Sequence, residues 1–213
     1  YYNTIFRVKL PEGNSSLVAR GYRNGVLVED VMMMTLALFP DLHQGDELAV
    51  NVGSNCYFIS DVSQLTWLPA RPYTAGEWGY VNGKGRSTTS EIYNTVDGPV
   101  YQTWMEDITE YKIDAPAGTY EVELLMADVS RPARQQANLL GKGDERASAV
   151  SKRFDITICG EVVEQNFSPA DNNRYLNACR RRYIVNNNDG CIDIRFTPLQ
   201  GKPVLSGLKV RRL

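Results

Sequence analysis

The sequence predicts an all-β protein built as an antiparallel β-sandwich, on three observations. Apolar and polar residues alternate with a period of two through most of the chain. Glycine- and proline-rich punctuation separates the alternating runs, and no segment carries a convincing helical period. Short strands at such spacing are the signature of two packed antiparallel sheets.

In chain order, YYNTIFRVKL at residues 1–10 has the composition of a strand already under way, as expected of a piece from a longer protein. SLVARGYRNGVLVEDVMMMTLALF follows, with Asn24-Gly25 between two strand-like runs, the strongest short hairpin signal. A hairpin and one strand are too little sheet to stand alone. Residues 1–45 are therefore read as a partial β segment and linker, and 46–213 as the main domain. PDLHQG near residue 40 is a candidate single helical turn. TYEVELLMA (119–127) places Tyr120, Val122, Leu124 and Met126 on one face. RFDITICG (153–160) does the same with Phe154, Ile156 and Ile158, and CIDIRFTPL (191–199) with Ile192, Ile194 and Phe196. Pro116-Ala117-Gly118, Asp189-Gly190 and Gly201-Lys202-Pro203 supply turns before strands. Residues 128–152 are polar and break the rhythm. They read as a long surface excursion, with 138–150 as a candidate short helix.

Bulk properties narrow the function. With 43% hydrophobic residues among 213, the chain can bury an ordinary core. A net charge of -2 gives no general attraction to nucleic acid or anionic membrane, and neither is expected as a partner. Arg180-Arg181-Arg182 and Lys209-Val210-Arg211-Arg212 are read as strand-end and sheet-edge charges in preference to phosphate contacts. No apolar run approaches the roughly 20 residues that span a bilayer. The cysteines Cys56, Cys159, Cys179 and Cys191 form no CxxC pair and fit no zinc spacing. Cys159 and Cys191 sit in strand patterns, so half-buried free thiols are expected, with disulfides left open.

A catalytic reading finds little support. A glycosidase needs two carboxyl groups about 5 to 10 Å apart across a cleft, and nothing in the sequence pairs Glu91, Glu106 or Asp128. His43 is the sole histidine, which leaves a Ser-His-Asp arrangement without support. No phosphate-binding glycine loop precedes a helix. Asp61, Asp97 and Asp171 fit no calcium pattern, and no essential metal or cofactor is expected.

From residue 47 on, the order of motifs becomes specific: Asn51-Val52-Gly53, Tyr101-Gln102-Thr103, Pro116 through Asp128, Phe154 through Gly160, and Gly201 through Leu208. In this succession the chain resembles the malectin family of carbohydrate-binding domains. The resemblance implies a galactose-binding-domain-like jelly-roll sandwich. The leading LPEGNSSLVARGYRNGVLVED resembles the tail of the immunoglobulin-like domain that follows the catalytic barrel in glycoside hydrolase family two, the β-galactosidases and β-glucuronidases. Together the two imply a non-catalytic accessory region of a periplasmic, cell-surface or secreted bacterial hydrolase. Its expected partners are an oligo- or polysaccharide and the parent enzyme's catalytic domain. The alternative is a structural domain that packs on that barrel or on another subunit without binding sugar.

The resemblance also implies a ligand rim, carried over with substitutions. In the family's sugar-binding members, loop aromatics and an aspartate hold the pyranose. Trp78, in Glu77-Trp78-Gly79, stands in the place of the first aromatic, with Tyr80 beside it. Glu106 stands in the place of the second, with Trp104 near. Ser130 and Arg131 replace an aromatic pair beyond Asp128, and Gly201 replaces the aspartate, flanked by Gln200 and Lys202. The expected ligand-binding residues are Trp78, Tyr80, Trp104, Glu106, Asp128, Arg131 and Gln200. Trp78 lies among four glycines in AGEWGYVNGKG, and its ring either faces a ligand or neighbouring domain or plugs the sandwich end. Trp67, Tyr101 and Tyr120 are read as core.

Overall fold

In the computed structural model, the residues described are 13–36, 40, 42, 45–60, 62–63, 65–129, 152–171 and 174–213. Contacts divide the chain into two compact units, Tyr1–Pro40 and Asp41–Leu213. In the first, β1 (Gly13–Arg23) and β2 (Val26–Leu36) form an antiparallel ribbon in which Arg23 pairs with Val26 around the Asn24-Gly25 turn. Both turn residues have positive φ, 53° and 77°. That is the backbone a two-residue hairpin of this twist requires.

The second unit is a β-sandwich. One sheet runs β13 (Cys179–Asn187), β10 (Gly118–Met126), β16 (Gly207–Arg212), β3 (Glu47–Asn51), β5 (Thr66–Pro69), β4 (Phe58–Ile59). The facing sheet runs β12 (Glu161–Phe167), β11 (Arg153–Ile158), β14 (Cys191–Gln200), β9 (Glu110–Asp114), β6 (Trp78–Tyr80). A third, smaller sheet joins β15 (Val204–Leu205), β8 (Thr103–Glu106) and β7 (Lys84–Ser87). Among these strands the pairings are antiparallel, except that β3 and β5 run parallel.

The core lies where the alternation places it. Tyr120, Val122, Leu124 and Met126 of β10 meet Phe154, Ile156 and Ile158 of β11 and Ile192, Ile194 and Phe196 of β14 in one buried cluster. Phe154 packs edge-on against Phe167 and Phe196, at centroid distances of 5.5 and 6.0 Å. A second cluster occupies the opposite face of β10. There Leu125 and Ala127 pack with Ala49, Trp67, Ile92, Val100 and Tyr101.

Val100 and Tyr101 belong to α1 (Gly98–Tyr101), one helical turn with proline in its first positions. Four residues are too short to show a helical period. The local signal was Asp97-Gly98-Pro99.

The turn candidate at PDLHQG, the excursion after Val129 and the helix candidate at 138–150 lie wholly or mostly outside the described residues. All four cysteines are free: Cys56 is exposed, and Cys159, Cys179 and Cys191 are half-buried.

Candidate functional site

The family-like motifs first build a scaffold. Asn51, at the end of β3, is buried and accepts a hydrogen bond from Thr103 Oγ1 at 2.7 Å. This joins the Asn-x-Gly motif to the Tyr-Gln-Thr motif. Gly53 then passes so close to β8 that a Cβ there would lie 2.0 Å from the backbone nitrogen of Trp104. Only glycine fits such an approach. Gln102 Nε2 donates to the Ser90 carbonyl at 3.0 Å, and Tyr101 is buried, which pushes its phenol's pKa upward.

Against this scaffold, the turn after β3, the end of β6 and strands β7 and β8 enclose a cleft of about 470 Å³. Ser54, Asn55, Tyr80, Ser87 and Thr103 supply hydroxyls, an amide and one aromatic ring, and Arg86 adds a cation. Such a wall can hydrogen-bond a polyol and offer a ring to its C–H face.

Among the described rim candidates, Tyr80 alone lines this cleft. Glu106 sits beside it, its carboxylate held by Arg86 at 3.1 Å. Trp104 lies between Thr103 and Met105, both of which line the cleft, and strand alternation turns its ring to the other face of β8. The ring is only 8% exposed.

Trp78 is equally covered, at 8% exposure, and belongs to the main core cluster. The Arg71 guanidinium stacks over its ring at 4.0 Å, and Arg71 Nε donates to the Trp78 carbonyl at 3.0 Å. Asp114 holds the loop before it. Its carboxylate accepts from Tyr73 Oη at 2.9 Å and from the Gly76 amide at 2.6 Å. That hydrogen bond raises the Tyr73 phenol's pKa. The glycine loop is thus folded down over the indole.

The remaining candidates are dispersed. Asp128 is fully buried with Lys152 Nζ at 2.6 Å. Gln200 is exposed at the end of β14, where it pairs with Arg153. Arg131 and Ser130 lie outside the described residues, as do His43 and Asp61. Among the described residues no three His, Cys, Asp or Glu side chains gather as a metal would need, and no helix is long and apolar enough to cross a membrane.

The sequence profile of the malectin domain matches residues 47–207. The chain belongs to the malectin domain family. A β-glucuronidase from Bacteroides uniformis is similar to it at 41% identity with a TM-score of 0.76, covering 98% of this chain and 24% of that one. A Bacteroides uniformis β-glucuronidase 2 covalently bound to cyclophellitol-6-carboxylate aziridine gives the same identity and a TM-score of 0.77, over 98% of this chain and 23% of that one. The chain therefore spans about a quarter of the length of those enzymes. The ANX1 ectodomain from Arabidopsis thaliana shares the fold at 15% identity and TM-score 0.56, covering 87% of this chain and 56% of that one. The comparison with curated proteins found no match. In this malectin domain the family motifs are seen at work as scaffold: Asn51, Gly53 and Thr103 lock β3 to β8 and leave the cleft beside Tyr80.

Residues that the rim expectation missed surround a second concavity. The arginine run at 180–182 lies on β13, the edge of the six-stranded sheet, and there Arg180 and Arg182 pair with Glu123. Lys209 of the other basic cluster pairs with the same carboxylate at 3.0 Å. A glutamate inside an alternating strand, opposite basic strands, was the available signal.

Proposed function

We propose that this chain is a non-catalytic accessory region of a larger, extracytoplasmic glycoside hydrolase of β-glucuronidase type. In this reading its malectin domain keeps the parent enzyme near a glycan. The observation that carries the reading is the 41% identity extending over 98% of the chain to a fraction of a β-glucuronidase. The cleft of about 470 Å³ supports the binding part of it. One sugar residue stacks on Tyr80 and exchanges hydrogen bonds with Ser54, Asn55, Ser87 and Thr103. The gain is effective concentration of the catalytic domain on its polymer, not chemistry.

Calorimetric titration with oligosaccharides tests this. Binding is expected, weakened at least tenfold by Tyr80→Ala and by Asn55→Ala; no heat across a broad glycan panel would count against it. Asn55 is exposed and removes little from the fold.

A second reading is favoured by the burial of Trp78 and Trp104. Family-position aromatics spent on packing fit a structural domain that braces the catalytic barrel or a partner subunit. It predicts that deleting 46–213 from the full-length enzyme lowers its melting temperature and leaves glycan affinity unchanged.

A further inference from the structure

Strand β10 has two faces of different character. Its even-numbered residues fill the sandwich, whereas Glu123 and Leu125 point outward beneath the segment that leads into α1. Between that segment and the sheet lies a second cleft of about 490 Å³, lined by Trp67, Asp97, Tyr101, Glu123, Arg180 and Lys209 among others. It shares no lining residue with the cleft at Tyr80.

Its polar groups are built in and incompletely used. The Trp67 side chain is 1% exposed, and its buried Nε1–H has no acceptor among the described residues. Its ring is seated over Gly207, where a Cβ would lie 3.2 Å from the indole. Asp97 Oδ1 is also buried without a donor among the described residues, and the aspartate makes no side-chain cap to α1. Glu123 is 2% exposed and held by Lys209 and Arg182, each at 3.0 Å. A buried donor or acceptor left unserved costs about 1–3 kcal/mol, so such groups usually meet water or a ligand.

The pattern selects a class of ligand. An unused N–H and an unused carboxylate oxygen on two residues that line one cleft complement hydroxyl groups, which donate and accept at once. The charged lining residues Asp97, Glu123, Arg180 and Lys209 sum to zero, and Glu123 already engages both cations, at 3.7 Å for Arg180 and 3.0 Å for Lys209. The wall therefore carries no net charge to attract an anion. Trp67, Tyr101 and Leu125 supply apolar surface for a sugar's C–H face.

We propose that this outer-face cleft binds one neutral hexose residue. Trp67 Nε1–H donates to one of its hydroxyl oxygens, and Asp97 Oδ1 accepts a hydroxyl proton. The site stands independently of the one proposed at Tyr80.

The test titrates the 213-residue chain with D-glucose, D-galactose and D-glucuronate, followed by saturation-transfer NMR and calorimetry. A neutral hexose is expected to bind in the millimolar range. Asp97→Ala and Ala178→Phe, the latter filling the cleft, should each weaken it at least tenfold. Asn55→Ala should leave it unchanged, and glucuronate should bind at least fivefold more weakly. Absence of hexose binding, with water alone in the cleft, overturns the proposal. So does indifference to Asp97→Ala, a preference for glucuronate, or loss through Asn55→Ala alone. Thermal melts confirm folding of each variant; should Ala178→Phe not fold, Asp97→Ala decides.

Discussion

Thr103 Oγ1 donates a hydrogen bond to Asn51 Oδ1 across 2.7 Å, joining two strands that are 52 residues apart in sequence. The amide is buried at the end of β3, and the hydroxyl belongs to the first residue of β8. This bond sets the floor on which the Tyr80 cleft is built. Asn51→Ala should destabilise the domain by about 1 kcal/mol, because the half-buried Thr103 hydroxyl loses its acceptor. In a double-mutant cycle with Thr103→Val, chemical denaturation should show the two losses to be non-additive.

Gly53→Ala tests the close approach. A methyl group cannot sit 2.0 Å from the Trp104 nitrogen, so β3 and β8 must separate. A loss above about 3 kcal/mol is expected, at the upper end of single substitutions. Circular dichroism melts would report it; a drop of only a degree or two would contradict the geometry.

Trp78 should behave as a core residue. Trp78→Ala removes a covered indole from the main cluster and is expected to cost about 3–5 kcal/mol. Arg71→Ala uncovers the ring and should cost about 1 kcal/mol from the lost stacking, with more from its bond to the Trp78 carbonyl. Urea unfolding followed by tryptophan fluorescence measures both.

Glu123 gives the domain an acid-sensitive point. Burial alone raises its carboxyl pKa, but the Lys209 and Arg182 bonds outweigh that and hold it below the ordinary 4.5. A depressed folded-state value means stability that is present above the ordinary value and lost as pH falls through the folded one. The melting temperature should therefore drop below about pH 4.5, and the Glu123→Gln variant should show a flatter profile over that range.

The thiols should separate by reactivity. Burial, then a hydrogen bond to Asp114, pushes Cys191 up to about 11, and burial also raises Cys159 and Cys179. Cys56 is exposed. Maleimide at pH 8 should label Cys56 at least tenfold faster than Cys191, as peptide mapping by mass spectrometry would show. Because the folded value of Cys191 is raised, its contribution to stability is complete below the unfolded thiol's range and fades as pH climbs toward 11.

Most of the architecture was legible locally. The inward faces of β10, β11 and β14 follow directly from alternation, since a pleated strand turns successive side chains to opposite sides. Asn24-Gly25 announced its hairpin, and Asp189-Gly190 its turn, with Gly190 at φ 80°. The candidate site was less legible. Tyr80 could be placed beside a cleft only through the ordered motifs, and nothing near Trp78 in the chain discloses that Arg71 and Asp114 bring its loop down onto the core. Trp67 was expected to be core and is, yet that its Nε1–H finds no acceptor among the described residues has no trace in the sequence.

Period-two alternation and turn chemistry act over a few residues, so the two-sheet β architecture and the order of the malectin motifs are written locally. Which face each indole turns to, which cations meet Glu123 and where the two clefts open follow from long-range packing. Those depend on strand order: β10 lies between β13 and β16, whose residues come some sixty to ninety positions later. Side chains from such distant segments become neighbours only once the sheet closes, and a local pattern carries no record of them.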